Sequence, residues 1–354
     1  MDVQKALARV VDGEHLARDD MAAVMRQIMG GEATDAQIGG LLVALRMKGE
    51  QIDEIAGAAA VMRELATAVT VEGEHLVDLV GTGGDGANLF NVSTAACFVV
   101  AAAGAQVAKH GNRSVSSTSG SSDVLEALGV PLDLDPQQVA RCIDELGLGF
   151  MFAPAHHAAM RHAIGPRREL GLRSLFNLLG PLTNPAGVQR QLLGVFAAEL
   201  CEPIAEALKA LGSVHAMVVH SQDGLDEISP AAPTKVAELK NGTVTTYTLD
   251  PAAYDLDVDS LDGLQVDSAE ASAKLIRAAL GGGKAEGNDA DKARKIITLN
   301  AGATIYVAGV TASLADGMAL AEDLVVTGLA MEKLRAFVDF TRLVSEQTTG
   351  EPAA

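Results

Sequence analysis

The pattern of hydrophobic residues changes at Leu76, and this change constrains the fold more than any other feature of the sequence. Up to about Ala68 the apolar residues recur at helical spacing, and residues 34–37, Thr-Asp-Ala-Gln, have the form of a helix capping box. From residue 75 the sequence HLVDLVGTGGDG is instead a short apolar strand that runs into glycines. The chain therefore begins with a helical unit and continues into a region that contains strands.

Strands, loops and helices alternate after this point. A second loop, HGNRSVSSTSGSSD, separates a short strand from a helix that closes at Gly129. The predicted strands start at residue 76 and cover residues 106–109, 214–219 and 244–249, and residues 304–310 also resemble a strand. This alternation indicates a parallel sheet whose loops meet at its carboxyl edge, where ligands bind. The predicted fold class is α/β, with a small all-helical N-terminal domain plus a larger α/β domain around a central, mostly parallel sheet.

Charge and composition exclude several classes of function. The 354 residues include 27 basic and 46 acidic side chains, so a net charge of -19 repels nucleic acid and anionic lipid unless basic residues cluster. The three cysteines lie far apart, without the spacing of a zinc site or a disulfide framework. The N-terminus lacks the apolar core of a signal peptide, and the longest apolar run, residues 95–103, is too short to span a bilayer. We expect a cytoplasmic protein that binds neither nucleic acid nor membrane.

The loop GTGGDG, residues 81–86, is typical of a backbone that approaches an anion closely. It fits the GxGxxG pattern of dinucleotide-binding folds, but residues 86–122 contain no Asp or Glu that could hold a ribose hydroxyl. An NAD-dependent dehydrogenase is therefore a weak alternative. The loop is not a P-loop either, because no Lys-Ser or Lys-Thr follows the glycines.

The acid-free window of residues 86–122 stands out in so acidic a chain. It contains Lys109, His110 and Arg113, many hydroxyl groups, and predicted helix starts near Ser93 and Ser121. A serine-rich run alone is typical of a solvated linker. Because this one lies between a strand and a capped helix, beside basic side chains, it favours a cradle for more than one phosphate.

An acidic pair, Asp226 and Glu227, follows the predicted strand at 214–219, with Asp223 nearby. Such a pair is either a solvated acidic corner or, next to bound phosphates, a source of the hard oxygen ligands that Mg²⁺ prefers. The sequence alone leaves both interpretations open.

The segment of residues 156–168 contains several histidines and arginines. Arg167 and Arg168 precede an acidic residue, and they form either a salt-bridge cluster or a guanidinium donor to a carboxylate substrate. The histidines at 156, 157 and 162 lack the spacing of metal ligands, so they predict no metal site.

Several strings together resemble one family of enzymes. HLVDLVGTGGDG, NLFNVSTA, KHGNRSVSSTSGSSDVLEALGV, RRELGLRSLFNLLGPLTNPAG and DGLDEIS occur in the order and spacing of the anthranilate phosphoribosyltransferases, and the resemblance covers essentially the whole chain. The related pyrimidine-nucleoside phosphorylases share the glycine loop and a Lys-His pair, but the Asn112-Arg113-Ser114 continuation and LFNLLGPLTNPA are similar to the anthranilate enzymes.

The resemblance implies a reaction of tryptophan biosynthesis. The phosphoribosyl group of 5-phosphoribosyl 1-diphosphate (PRPP) would pass to the amine of anthranilate, with Mg²⁺ as cofactor, two ions in the site, and release of diphosphate. No protein nucleophile is required, since glycosyl transfer passes through an oxocarbenium-like transition state.

The resemblance also implies roles for individual residues. Anthranilate would be bound by Gly81, His110, Asn112 and Arg167, and the Mg²⁺ ions by Ser93, Asp226 and Glu227. The PRPP-binding residues would be Gly81, Gly84, Asp85, Leu89, Asn91, Val92, Ser93, Thr94, Lys109, His110, Gly111, Asn112, Arg113, Ser114, Val115, Ser116, Ser117 and Ser121. Relatives often carry Thr or Ser where this chain has Leu89, so only the backbone could contribute there.

The implied organisation has two domains and a homodimer formed through the helical part. The helical domain would span residues 1–70 and be completed by about 166–185, and the α/β domain would span 71–165 and 186–350, with 351–354 as a tail.

Two rival functions stay open on the sequence alone. A pyrimidine-nucleoside phosphorylase would cleave thymidine or uridine with phosphate, and a non-catalytic PRPP sensor would bind PRPP without forming a product.

Overall fold

The computed structural model describes residues 1–113, 119–283 and 287–348. The chain begins with four helices, α1 (Val3–Val11), α2 (Arg18–Met29), α3 (Asp35–Lys48) and α4 (Ile52–Glu64). The predicted capping box starts α3: the Gln37 N–H donates to Thr34 Oγ1 (3.3 Å), and the Thr34 N–H donates to Gln37 Oε1 (2.9 Å). The prediction of a helical N-terminal unit is therefore confirmed.

Within the described residues, the strands form a single sheet. They are β1 (Leu76–Gly81), β2 (Gln106–Gly111), β3 (Leu148–Phe152), β4 (Arg190–Gly194), β5 (His215–Ser221), β6 (Thr234–Lys240) and β7 (Thr243–Leu249). Their order across the sheet is β3-β2-β1-β4-β5-β6-β7. The first five strands are parallel to one another, and β6 and β7 are antiparallel to their neighbours. The predicted α/β class with a mostly parallel sheet is confirmed.

The remaining helices cover both faces of the sheet. They are α5 (Val92–Ala102), α6 (Ser121–Leu128), α7 (Pro136–Leu146), α8 (Ala153–His156), α9 (Arg161–Leu170), α10 (Leu175–Leu179), α11 (Cys201–Ala210), α12 (Ala269–Leu280), α13 (Asn288–Ala308), α14 (Leu314–Val326) and α15 (Leu329–Thr348). Single 3₁₀ turns lie at Ala158–Met160, Gly180–Leu182, Ala198–Leu200 and Pro251–Tyr254. No helix in the described part of the chain is both long and apolar enough to cross a membrane.

The two largest hydrophobic cores lie on opposite faces of the sheet, and a third, smaller cluster contains Val69, Ala108 and Ile143. Because side chains alternate along a strand, Met217 and Val219 of β5 join one core and Ala216 and Val218 join the other. The first core contains α5, α13, α14 and α15, and the second contains α1 to α4 with α10 and α11. The four N-terminal helices therefore pack onto the sheet through a continuous apolar layer.

The middle of the chain returns to the N-terminal helices. Helix α9 lies against α2 and α3, and α10 lies against α3 and α4. Ala163, Leu175 and Phe176 belong to the same core as the N-terminal helices. Residues from about 161 to 182 therefore pack with the helical layer, although they lie far from it in sequence.

The strand expected at residues 304–310 is wrong. Residues Thr304 to Ala308 are the last turns of α13, which has 21 residues and ends where Gly309 adopts a left-handed conformation (φ 81°). This part of α13 is buried and packs between α5 and α14, so its residues are apolar or β-branched on nearly every side. A buried helix of this kind cannot be distinguished from a buried strand by its apolar pattern.

The parallel pairing of β1 with β2 is short. Only Leu76 with Gln106 and Val77 with Val107 are paired. Beyond Val77, β1 pairs with β4 on its other side, and β2 continues along β3. The sheet therefore opens between β1 and β2 toward the carboxyl edge.

Candidate active site

The glycine loop lies at the carboxyl end of β1. The Thr82 N–H donates to the Gly194 carbonyl (2.9 Å), and the Gly83 N–H donates to Asp226 Oδ2 (2.7 Å). Gly83 and Gly84 have φ values of 68° and 81°, a region that favours glycine. A Cβ at Gly81 would lie 2.5 Å from Asp226 Oδ2, so the glycine allows this carboxylate to approach the backbone of the loop.

Three carboxyl groups gather beside this loop. Asp226 is 9% exposed, its carboxyl group contacts that of Asp85, and Glu227 follows it directly. Burial and the negative charge of Asp85 raise the pKa of Asp226, although the Gly83 N–H acts in the opposite direction. Burial and the charge of Asp226 raise the pKa of Glu227 well above its ordinary value. Full ionisation of the group would place more negative charge here than its surroundings compensate, and a bound divalent cation relieves this cost.

Lys109 and Ser93 connect the carboxyl groups to the sheet. Lys109 on β2 is 3% exposed, and its Nζ donates to the Leu79 carbonyl (2.7 Å) and to Ser93 Oγ (3.3 Å). The Ser93 N–H, in the first turn of α5, donates to Glu227 and lowers the pKa of that carboxyl group. The structure therefore brings Gly81, Ser93, Lys109, Asp226 and Glu227 together at the carboxyl edge, beside the start of α5.

These oxygen atoms would supply only part of the ligand shell of a hard cation. No group of three His, Cys, Asp or Glu side chains in the described ranges has the arrangement of a metal site. Mg²⁺ generally takes one or two carboxylates and completes its shell with phosphate oxygens and water. Asp226, Glu227 and the Ser93 hydroxyl could therefore supply part of the ligand shell of a Mg²⁺ ion that arrives with a phosphorylated ligand.

His110 follows Lys109 on β2 and contacts a second buried histidine, His157. The rings of His110 and His157 meet edge to face, with centroids 5.1 Å apart. Burial lowers the pKa of His110 to about 3 and that of His157 to about 4, so both are neutral at pH 7. Within the part of the chain that the structure describes, the Nε2 atoms of both rings are buried and have no hydrogen-bond partner.

The serine-rich loop after β2 is described only at its two ends. Ser121 Oγ donates to the Asn112 carbonyl (3.3 Å), which fixes the start of α6 to the end of β2. Arg113 is half-exposed and pairs with Asp123 (2.8 Å) and Glu126 (2.6 Å), so its guanidinium is already neutralised by two acids of α6. Predicted phosphate ligands Ser114, Val115, Ser116 and Ser117 lie outside the described residues.

The turn before α5 packs against the segment that leads to α12. Asn91 Oδ1 accepts hydrogen bonds from the hydroxyls of Ser119 and Ser272 (3.2 and 3.1 Å). Leu89 pairs with Gln265 as an isolated antiparallel bridge, and the Phe90 N–H donates to the Leu264 carbonyl (3.0 Å). The Leu89 side chain is half-buried and has no polar atom, so this residue contributes polar contacts to the turn only through its backbone.

Arg167 packs against an aromatic ring. Its guanidinium lies over the Phe176 ring, 5.0 Å from the centroid, and burial lowers its pKa. Among the described residues no carboxylate forms an ion pair with it. The salt-bridge interpretation of the arginine pair therefore fails for Arg167, and its charge is available to an anionic group.

Two residues near the site were not expected from the sequence. Asp78 of β1 is fully buried, and its carboxylate accepts hydrogen bonds from Leu79 N–H (2.8 Å), His110 N–H (3.3 Å) and Asn184 Nδ2 (2.8 Å). An acidic residue inside the apolar strand VDLV was the available signal, because buried carboxylates are rare without partners. Arg173 donates to the Gly84 carbonyl and lies over the Phe196 ring, 4.5 Å from its centroid.

A separate cavity of about 280 Å³ lies at the opposite edge of the sheet. Arg190, His215, Lys240 and Tyr306 line it, at the start of β4 and β5 and the end of β6. None of the predicted site residues lines this cavity. The residues predicted to carry the chemistry therefore lie at the carboxyl edge and not around this cavity.

Comparison with known proteins agrees with this arrangement. Residues 4–66 match the model of the helical bundle domain of a glycosyl transferase family, and residues 73–331 match the model of its a/b domain. The anthranilate phosphoribosyltransferase of Teredinibacter turnerae is 62% identical over 343 residues, which cover 97% of this chain and 100% of that protein.

Solved structures extend the similarity to the fold. The anthranilate phosphoribosyltransferase of Thermus thermophilus superposes with a TM-score of 0.88 at 44% identity, over 95% of this chain and 99% of that one. The enzyme of Saccharomyces cerevisiae in complex with PRPP and Mg gives a TM-score of 0.87 at 26% identity, over 96% and 98% of the two chains. The chain belongs to the anthranilate phosphoribosyltransferases, a family of glycosyl transferases.

Proposed function

We propose that this chain transfers the phosphoribosyl group of PRPP to the amine of anthranilate, which gives N-(5-phosphoribosyl)anthranilate and diphosphate in tryptophan biosynthesis. One observation carries the proposal: the glycine loop, the start of α5 with Lys109, and the carboxyl pair Asp226-Glu227 converge at one edge of the sheet. This combination offers backbone N–H groups and a cation for a diphosphate, and oxygen donors for its metal.

Mg²⁺ belongs to the proposal as a cofactor that enters with PRPP. Ser93, Asp226 and Glu227 would hold it, and we propose two ions. The yeast relative solved with PRPP and Mg supports the choice of metal. When bound, Mg²⁺ neutralises charge on the phosphate oxygens of the leaving group.

The side chains of the protein orient the two substrates and stabilise charge. The loop of residues 81–86 and Lys109 would bind the diphosphate and stabilise the charge that develops on it as it departs. Displacement at the anomeric carbon passes through an oxocarbenium-like transition state, so it needs no covalent protein intermediate.

Neutral and cationic groups would bind the acceptor substrate, anthranilate. Arg167, which has no carboxylate partner among the described residues, would bind the carboxylate of anthranilate. Neutral His110, with Gly81 and Asn112, would line the space for the aromatic ring. The amine of anthranilate is already unprotonated at neutral pH, so no strong base is required.

The direct test is the loss of anthranilate fluorescence when the protein is mixed with anthranilate, PRPP and Mg²⁺, beside a chelated control. We expect loss only when all three are present. The double variant Asp226→Asn with Glu227→Gln should lose at least about 100-fold in turnover and need more Mg²⁺, because two carboxylate ligands are removed.

Other outcomes would point to the rival functions. Phosphorolysis of thymidine or uridine without loss of anthranilate would indicate a nucleoside phosphorylase. Saturable PRPP binding without product from anthranilate would indicate a sensor. An unchanged Mg²⁺ response in the double variant would remove Asp226 and Glu227 from the metal site.

We also propose a homodimer formed through the helical layer, in the cytoplasm. Exposed large apolar side chains in that layer support the interface: Val11, Met47, Ile52 and Leu65. These are the side chains in the layer that a contact with a second copy would remove from water.

A further inference from the structure

The opening between β1 and β2 is filled by polar side chains. The two strands stop pairing after Val77 and Val107, so the backbone groups that follow have no ladder partner across the gap. In a buried sheet such groups must find other partners, because an unsatisfied buried N–H or carbonyl is costly. Asp78, Lys109 and Asn184 supply those partners.

Asp78 spans the opening from the β1 side. Its Oδ1 accepts from the His110 N–H on β2 (3.3 Å) and from the Leu79 N–H (2.8 Å). Its Oδ2 accepts from Asn184 Nδ2 (2.8 Å), and the same amide donates to the Ala108 carbonyl of β2 (2.8 Å). One carboxylate and one amide therefore take the place of the missing ladder hydrogen bonds.

Lys109 crosses the same opening from the β2 side. Its Nζ donates to the carbonyl of Leu79, the residue next to Asp78, and then to Ser93 Oγ at the start of α5. The buried negative charge of Asp78 attracts the ammonium group, since the two influence each other electrostatically. The position of the ammonium group thus depends on the strand that Asp78 holds in place.

We infer that Asp78 is a positioning residue for the reaction: it fixes the β1–β2 opening so that the Lys109 ammonium points at the diphosphate of PRPP. This inference rests on the proposed function, in which Lys109 binds that diphosphate. Asp78 itself is fully buried, so it has no exposed surface through which to contact a substrate.

A double-mutant cycle tests the inference. Asp78→Asn keeps the shape of the side chain but removes its charge and places an N–H group against the amide of Asn184. Lys109→Met removes the ammonium group. We expect Asp78→Asn to lower kcat/KM for PRPP about 10-fold with less than about a twofold change in the KM for anthranilate. If Asp78 acts through Lys109, the double variant is about as active as Lys109→Met alone.

Glu54→Gln is the matched control. Glu54 is also a fully buried carboxylate, paired with Lys48 (2.9 Å) and with the Leu16 N–H (2.9 Å), but it lies in the helical layer. It should lower the unfolding midpoint while leaving kcat/KM for PRPP within about twofold. If Asp78→Asn does not fold, Asn184→Ala replaces it in the cycle, because that change removes the partner of Asp78 Oδ2.

Two outcomes overturn the inference and differ in what they say about the function. Losses that multiply in the double variant would show that Asp78 acts independently of Lys109, with the role of Lys109 intact. Wild-type PRPP kinetics in Lys109→Met would remove Lys109 from the diphosphate site and the positioning role with it.

Discussion

Arg167 and Arg168 are neighbours in the chain but differ in their surroundings. Arg167 is partly buried over Phe176, whereas Arg168 is exposed. We expect Arg167→Ala to raise the KM for anthranilate about 10-fold or more, because a charged hydrogen bond to a carboxylate contributes about 1.5–3 kcal/mol. The KM for PRPP should change by less than about twofold, and Arg168→Ala should change neither. Steady-state kinetics with each substrate varied in turn measures this, and equal effects on both KM values would contradict the role of Arg167.

His157 makes stability depend on pH. Burial lowers its pKa from 6.5 to about 4, so between these values the unfolded chain binds a proton that the folded chain does not. The stability it contributes is therefore fully present above pH 6.5 and is lost as the pH falls toward 4, at up to about 1.4 kcal/mol per pH unit.

His157→Gln removes this titration. As the pH falls from 7.5 to 5, we expect the free energy of unfolding of the wild type to decrease more than that of the variant. Urea unfolding at several pH values measures it. Parallel curves for the two proteins would show that His157 does not titrate on unfolding.

The candidate site could be predicted from the sequence only where its residues form local motifs. Gly81, Ser93, Lys109 and the Asp226-Glu227 pair are recognisable because loops at the carboxyl ends of parallel strands converge. The roles of Asp78 and Arg173 depend on partners from distant parts of the chain, Asn184 and Gly84. No spacing rule connects such partners before the fold is known.

At the level of elements, the helix α3 offers a clean test of local stabilisation. Its capping box involves only Thr34 and Gln37, at an exposed helix start. Thr34→Ala should lower the free energy of unfolding by about 1 kcal/mol, the usual effect of losing such a cap. Urea unfolding beside Thr70→Ala, a change at an exposed coil position, checks this, and equal midpoints for the two variants would contradict it.

Elements with strong local signals were predicted well: the capping box of α3 and the glycine stop of α6 at Gly129 are both present. The strands β3, β4 and β6 were not predicted, although the Asn241-Gly242 turn, with φ values of 53° and 74°, is a hairpin signal between β6 and β7. At the end of α13 the local apolar pattern is ambiguous, and burial among neighbouring helices decides the conformation.

At the scale of the whole molecule, the helical layer carries the proposed dimer interface. Met47 is 83% exposed near the end of α3. If the layer forms the interface, Met47→Asp should shift the molecule from dimer toward monomer, because it places a charge in an apolar contact. Light scattering over a range of concentrations measures this.

Leu343→Asp is the control for that experiment. Leu343 is 49% exposed on α15, which packs on the opposite face of the sheet. It should leave the dimer intact. A wild-type protein that is monomeric at all concentrations, or an equal effect of both variants, would contradict an interface in the helical layer.

Two arginines connect the helical layer to the glycine loop. Arg46 of α3 donates to the backbone carbonyl of Arg173, and Arg173 in turn donates to the carbonyl of Gly84. The layer and the loop are therefore joined by a two-link tether that runs along the molecular surface. If the helices shift over the sheet, these two hydrogen bonds must move with them or break, so the conformation of the glycine loop is coupled to the position of the helical layer.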